Sequence, residues 1–231
     1  MIKEMTVLFV VCVNNEELFE QCEKQIKSVY IPPGFHMHIL PIRHAKSLTS
    51  AYNQALSFPA KYKVYLHQDT FIMNPYFFME MLVLFTLNKD LGLLGVIGCK
   101  ELPENGIWCE GKELIGQVLE YKWGLYQLLS FKTEKFKRDR FIPVQAIDGL
   151  LMATQYDVEW REDVFDGFHF YDISQSLEFQ KAGYVVGVAN QTRPWCIHNI
   201  RDYVLDEATY EKYRKILVEE YPDVGLQKEE G

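Results

Sequence analysis

Short β-prone apolar runs alternate with stretches of helical periodicity along most of this chain, which restricts it to a few α/β layer architectures. Thr6-Val7-Leu8-Phe9-Val10-Val11-Cys12-Val13 is an unbroken apolar run, as expected of a strand buried on both faces. Asn14-Asn15-Glu16 breaks it, and Glu17 to Val29 then carries Leu18, Phe19, Cys22 and Ile26 at helical spacing. Ile31-Pro32-Pro33-Gly34 ends that helix, and His36-Met37-His38-Ile39-Leu40-Pro41-Ile42 reads as a second short strand. Ser47 to Leu56 puts Leu48, Ala51, Tyr52 and Ala55 on one side of another helix, ahead of a strand in Lys63-Val64-Tyr65-Leu66. This order predicts a mainly parallel central sheet with helices on both faces.

The third strand ends abruptly in His67-Gln68-Asp69-Thr70. Open α/β sheets gather ligands beyond the carboxyl ends of their strands, so polar groups placed there mark a ligand site. An imidazole and a carboxylate can both coordinate a divalent cation, and a cation offsets phosphate charge. The plainer alternative has Asp69 capping the segment around Asn74-Pro75 while His67 packs. Pro75 to Leu87 reads as a core helix through Phe77, Met81 and Leu84, Leu93 to Cys99 as one strand, and Glu101 to Ile115 as a loop. Val144 to Thr154 reads as a strand interrupted by a small-residue bend, where Gly149 lets the backbone approach a ligand and Asp148 faces it. A helix from Ile173 to Ala182 and a strand from Tyr184 to Val188 follow. The tail from Asp206 to Tyr221 reads as an amphipathic helix with Tyr210, Tyr213, Ile216 and Leu217 facing inward.

The chain has 231 residues, 48% of them hydrophobic, with neither an internal repeat nor a linker, so one domain over 1–231 is expected, its core at about 6–200. A formal net charge of −8 argues against a sequence-independent nucleic-acid binder. The basic stretch Lys132-Thr133-Glu134-Lys135-Phe136-Lys137-Arg138-Asp139-Arg140 is interrupted by acids and reads as a solvated loop. No apolar run reaches bilayer-spanning length, and the residues before Thr6 lead into a buried strand without a small-residue cleavage site. Cys12, Cys22, Cys99, Cys109 and Cys196 are scattered, with no CxxC pair, which fits a reducing cytoplasm.

The polar clusters also fall in a definite order. Asn14-Asn15-Glu16 follows the first strand, Asn53 lies in Ser50-Ala51-Tyr52-Asn53-Gln54-Ala55, and His67-Gln68-Asp69 ends the third strand. Asp148-Gly149, Tyr171-Asp172 and then His198 come after. The stretches Tyr65-Leu66-His67-Gln68-Asp69, Ala146-Ile147-Asp148-Gly149 and Phe165-Asp166-Gly167-Phe168-His169-Phe170-Tyr171-Asp172-Ile173 carry a family resemblance, the last being the most specific. Over residues 6 to 200 the chain resembles the GT-A fold glycosyltransferases of the family 2 type, and within them the StrF-like bacterial branch linked to streptomycin biosynthesis.

The resemblance implies transfer of a sugar from a nucleotide-diphosphate donor, a UDP-sugar by general expectation, to a saccharide or other hydroxyl acceptor. A departing nucleoside diphosphate needs a cation or positive dipole, and the acceptor hydroxyl needs a carboxylate to take its proton. By the family pattern Asp69 holds the last position of the metal-binding DxD, and His67 stands where the first acid is usual. That departure suits Mn²⁺ better than Mg²⁺. His198 is implied as a third contact to metal or diphosphate. Asn14, Glu16, Asn53 and Gln68 would serve donor binding, with Asp148 and Gly149 at the donor sugar. Tyr171-Asp172 falls where such enzymes carry a Glu-Asp pair, making Asp172 the candidate general base, with a helix N-cap as its plainer role and Asp166 next in line. Ser174 stands where related sequences place another acid. Trp108, Trp123, Phe168 and His169 could wall an acceptor, although Trp123 reads more readily as part of a core helix over Leu119 to Tyr126. Two rivals stand beside this reading. One is a catalytically silent nucleotide-sugar binding module; the other, a nucleotidyltransferase, should show a Gly-rich basic loop that Val13-Asn14-Asn15-Glu16 lacks.

Overall fold

A computed structural model describes residues 3–131, 141–201 and 205–224. Its strands are β1 (Thr6–Val13), β2 (His36–Arg43), β3 (Tyr62–His67), β4 (Thr70–Ile72), β5 (Leu91–Gly95), β6 (Ile97–Glu101), β7 (Lys112–Lys122), β8 (Leu125–Ser130), β9 (Phe141–Pro143), β10 (Ala146–Ile147), β11 (Leu151–Thr154), β12 (Val185–Ala189) and β13 (Cys196–Arg201). The helices are α1 (Glu16–Lys27), α2 (Leu48–Leu56), α3 (Phe77–Leu87), α4 (Tyr171–Lys181) and α5 (Glu207–Glu220). Polar side chains start three of them: Asn15 accepts from the Leu18 N–H, Ser47 and Ser50 form a reciprocal capping box, and Asp206 accepts from the Thr209 N–H.

The main sheet runs β2-β1-β3-β11-β5-β12-β9. β1 lies parallel to both β2 and β3, and β12 parallel to β5, whereas β11 is antiparallel to β3 and β5 and β9 is antiparallel to β12. The mainly parallel sheet expected from sequence is therefore mixed. The bend expected within residues 144–154 is present: β10 pairs antiparallel with β6 in a second sheet, and past a turn at Asp148-Gly149 the chain continues in the same direction as β11, antiparallel to β5 in the main sheet. Leu93 to Cys99 divides likewise, with Val96 joining β5 in the main sheet to β6 in the second.

The second sheet runs β10-β6-β7-β13-β4, with β8 on β7. The loop expected to Ile115 ends earlier, because β7 begins at Lys112. The helix considered for Leu119 to Tyr126 is instead a β7–β8 hairpin. Its two-residue turn, Trp123-Gly124, has φ of 52° and 78°, the sign that such hairpins require. Trp123 is 75% exposed there. The basic stretch Lys132 to Arg140 lies outside the described residues.

Helices do cover both faces of the main sheet. Val7, Phe9 and Val11 of β1 pack with α1 and α3 through Phe19, Cys22, Ile26, Phe77, Met81 and Phe85. The alternate residues Leu8 and Val10 pack the other way, with Leu48, Ala51 and Tyr52 of α2 and Phe179 of α4. The unbroken apolar run of β1 thus reflects burial on two sides. A third cluster docks α5, with Tyr213 and Leu217 buried against Phe165, Phe170, Ile173 and Leu177, and Tyr210 and Ile216 partly buried at its margin. No helix among the described residues is long and apolar enough to cross a membrane.

Candidate active site

The carboxyl end of β3 delivers His67, and the chain turns through Gln68 and Asp69 into β4. β13 pairs antiparallel with β4, setting His198 opposite Thr70, and the Asn199 N–H donates to the Asp69 carbonyl at 2.8 Å. This pairing returns His198 across more than a hundred residues of sequence. His67 Nδ1 lies 3.9 Å and His198 Nε2 3.7 Å from the same Asp69 Oδ1, with the two rings 6.0 Å apart. Ligand atoms of the three side chains lie within 4.8 Å of one another. Asp69 Oδ1 is buried and has no hydrogen-bond partner. An unsatisfied buried acceptor is costly, and a cation between two imidazoles would satisfy it. Burial pushes the His67 pKa below its ordinary value and the nearby His198 acts the same way, against the opposing pull of Asp69. A neutral imidazole keeps a lone pair for a metal.

The turn around these residues is tied to the β1–α1 loop by Gln68. Its Oε1 accepts from the backbone N–H groups of Asn14 and Asn15 at 3.0 and 2.9 Å, and its Nε2 donates to Asn14 Oδ1. Gln68 and Asn14 therefore meet at the site, as partners of each other. Glu16 forms a paired contact with Arg43, at 2.7 and 2.8 Å, and Asn53 is engaged at both ends of its amide by the Trp160 backbone, at 2.9 Å each. Both side chains are thus held in place by protein partners.

Asp148 and Gly149 occupy the bend where the chain passes from the second sheet to the main one. Asp148 Oδ1 accepts from the Leu150 N–H at 2.8 Å, an Asx-type turn, and the Leu150 carbonyl accepts from the His67 N–H at 3.1 Å. The antiparallel β11 is thus what brings Asp148 to the same edge as His67. Gly149 permits a close approach of Tyr171 and Asp172 to the backbone. A Cβ there would lie 2.1 Å from Tyr171 Oη and 3.0 Å from Asp172 Cβ.

Asp172 sits in the first turn of α4, one residue past its start, so the N-cap position falls to Phe170 instead. Its Oδ2 accepts from the Gly149 N–H at 2.8 Å and its Oδ1 from the Ile173 N–H at 2.9 Å. Burial, and next the nearby Asp148, push its carboxyl up to about 7, against the lowering effect of those two hydrogen bonds. Asp166 is exposed and accepts from the Tyr213 hydroxyl at 2.7 Å, which holds its carboxyl below the ordinary range. Ser174, in place of a further acid, bonds the Tyr221 hydroxyl at 2.7 Å and so helps dock α5. Of the aromatic wall candidates, Phe168 is exposed, His169 packs against Tyr210 and Tyr213, and Trp108 meets Phe131 edge-on. Sequence reasoning overlooked the Tyr171 side chain. Its hydroxyl bonds His67 Nε2, and the only signal was its place beside Asp172 in the motif.

A family model described as "Glycosyltransferase like family" matches residues 8–221. A search of curated proteins finds no match. Among solved structures, TarS residues 1–349 from S. aureus is similar with a TM-score of 0.52 and 12% identity, over 97% of this chain and 67% of that one. A longer TarS structure gives 0.56 and 10% identity, with 97% of this chain but 41% of that one covered. The mannosyltransferase PcManGT from Pyrobaculum calidifontis, solved with GDP-Man and Mn²⁺, gives 0.51 and 12% identity over 96% of this chain and 64% of that one. The chain spans less than half of the longer TarS structure and under two thirds of the mannosyltransferase. At such identities these neighbours establish a common fold, that of GT-A glycosyltransferases. With the family match running from the third residue of β1 to just past the end of α5, the chain belongs to the glycosyltransferase-like family.

Proposed function

We propose that this member of the family moves a glycosyl group from a nucleoside-diphosphate donor to a hydroxyl acceptor, with His67, Asp69 and His198 holding a divalent cation and Asp172 taking the acceptor proton. The observation that carries the reading is the buried, unpartnered Asp69 Oδ1 facing two imidazole nitrogens. Two nitrogens and one carboxylate form a donor set better suited to Mn²⁺ than to Mg²⁺. The mannosyltransferase neighbour with Mn²⁺ and GDP-Man supports the same choice. When bound, the cation supplies positive charge against the charge that builds on the departing diphosphate.

The rest is work for the chain's own groups. Gln68 and Asn14 brace the loop that faces the donor, and Glu16 and Asn53 are the further candidates for the nucleoside end, held by Arg43 and by the Trp160 backbone. Asp148 and Gly149 shape the bend at the donor sugar. A carboxyl with a pKa near neutrality is matched to accepting an acceptor proton, which supports Asp172 as the base. Uridine is the general expectation for the donor, and the neighbour's GDP-Man makes guanosine the second choice. The motif order supports a place in the StrF-like branch, and the free thiols support a cytoplasmic setting. One observation favours a silent binding module instead: both Asp172 oxygens already accept backbone N–H groups.

A thermal-shift series with UDP-, GDP- and dTDP-sugars separates these readings, because a ligand that binds only the folded state raises the melting temperature by mass action. A rise that requires Mn²⁺ and is lost in Asp69→Asn is expected. Equal rises in wild type and variant, with and without Mn²⁺, would remove Asp69 from the site. Binding without release of nucleoside diphosphate across a panel of acceptors would favour the silent module.

A further inference from the structure

We infer that Tyr171 is a positioning residue for His67, holding Nε2 through its hydroxyl so that Nδ1 turns its lone pair toward the cation beside Asp69. The inference rests on the metal site proposed above and goes beyond it to a residue outside the ligand set. The fold joins His67 and Tyr171 across 104 residues of sequence. A carboxylate presents two equivalent oxygens and needs little orientation. An imidazole has one nitrogen on each side, and only the unprotonated one can ligate, so a histidine in that position needs a partner to fix ring and tautomer.

Tyr171 meets that need. Its hydroxyl lies 2.5 Å from His67 Nε2, while Nδ1 on the opposite side lies 3.9 Å from Asp69 Oδ1. The phenol cannot swing away. Tyr171 is 3% exposed, its ring packs 6.0 Å from Tyr52 and 6.2 Å from Trp160, and the backbone of Gly149 closes over the hydroxyl. A hydroxyl can both donate and accept. Without a cation it can donate to Nε2 while the Nδ1–H faces Asp69; with one, Nε2–H donates to the phenol oxygen and Nδ1 is free to bind. Phenylalanine would fill the same space and do neither.

Titration with Mn²⁺ alone, followed by loss of the free-ion electron paramagnetic resonance signal, tests this. Tyr171→Phe is expected to bind Mn²⁺ about 10–100-fold more weakly than wild type, the usual effect of removing a ligand's hydrogen-bond partner. In a His67→Asp background, where no imidazole needs orienting, the same substitution should leave Mn²⁺ affinity unchanged. Equal losses in both backgrounds would mean that the hydroxyl acts only through packing, and would overturn the inference. Equal affinity in wild type and Tyr171→Phe would overturn it while leaving the metal site standing; a wild type that binds no Mn²⁺ would overturn both. Should the variant fold poorly, nitrogen-15 spectra of the wild-type His67 ring with Zn²⁺ decide. Protonation at Nε2 is expected, and protonation at Nδ1 would contradict it.

Discussion

Asp172→Asn is expected to lower the rate of glycosyl transfer by about 10²–10⁴-fold while donor affinity changes little, the range for loss of one acid–base group. The wild-type pH profile carries a companion expectation. Since only the ionised carboxylate can take a proton, kcat/KM should rise with pH through an apparent pKa of about 7, the value to which burial and the nearby Asp148 raise the Asp172 carboxyl. Stability should move the other way. The folded pKa is raised above the unfolded one, so this group's contribution is fully present below about pH 4 and is lost as pH rises toward 7. Asp172→Asn should therefore gain stability relative to wild type across that window and hold the gain above it. A variant that transfers sugar at the wild-type rate per folded molecule would make Asp172 a structural carboxylate. Asp166 would be a poor replacement, since it is exposed and its carboxyl is held low by Tyr213 and Lys212.

Trp160→Ala should cost about 3–5 kcal/mol of folding stability, the range for emptying a buried tryptophan site. Trp160 is 1% exposed and lies 4.9 Å from the Tyr52 ring and 5.1 Å from that of Tyr65. Its backbone is clamped by Asn53 on α2. The substitution would open a cavity beneath Tyr171 and loosen the wall behind His67. Urea denaturation measures the effect; a loss under about 1 kcal/mol would show that this aromatic cluster does not brace the site.

The early part of the fold was legible because its signals are local. The double-sided burial of β1, the helical spacing of Phe19, Cys22 and Ile26, and the caps at Asn15 and Ser47 all depend on neighbours within a few residues. The changes of sheet at Asp148-Gly149 and at Val96 depend on which partner a short apolar run finds, and periodicity carries no record of that. Trp123-Gly124 illustrates the same limit, since an apolar stretch with aromatic residues suits a helix or a hairpin equally well. In the site, the residues near one sheet edge could be named from their order along the chain. The partners of Glu16 and Asn53 could not, because Arg43 and Trp160 lie 27 and 107 residues away and reach them only in the folded chain.

Crystals grown with Mn²⁺ and a nucleoside diphosphate, with diffraction collected near the manganese absorption edge, test the central claim most directly. The expected result is one anomalous peak at about 2.0–2.6 Å from His67 Nδ1, an Asp69 carboxylate oxygen and His198 Nε2, with diphosphate oxygens completing the shell. Nucleotide bound elsewhere on the molecule, or bound at this edge with no metal among the three side chains, would contradict it.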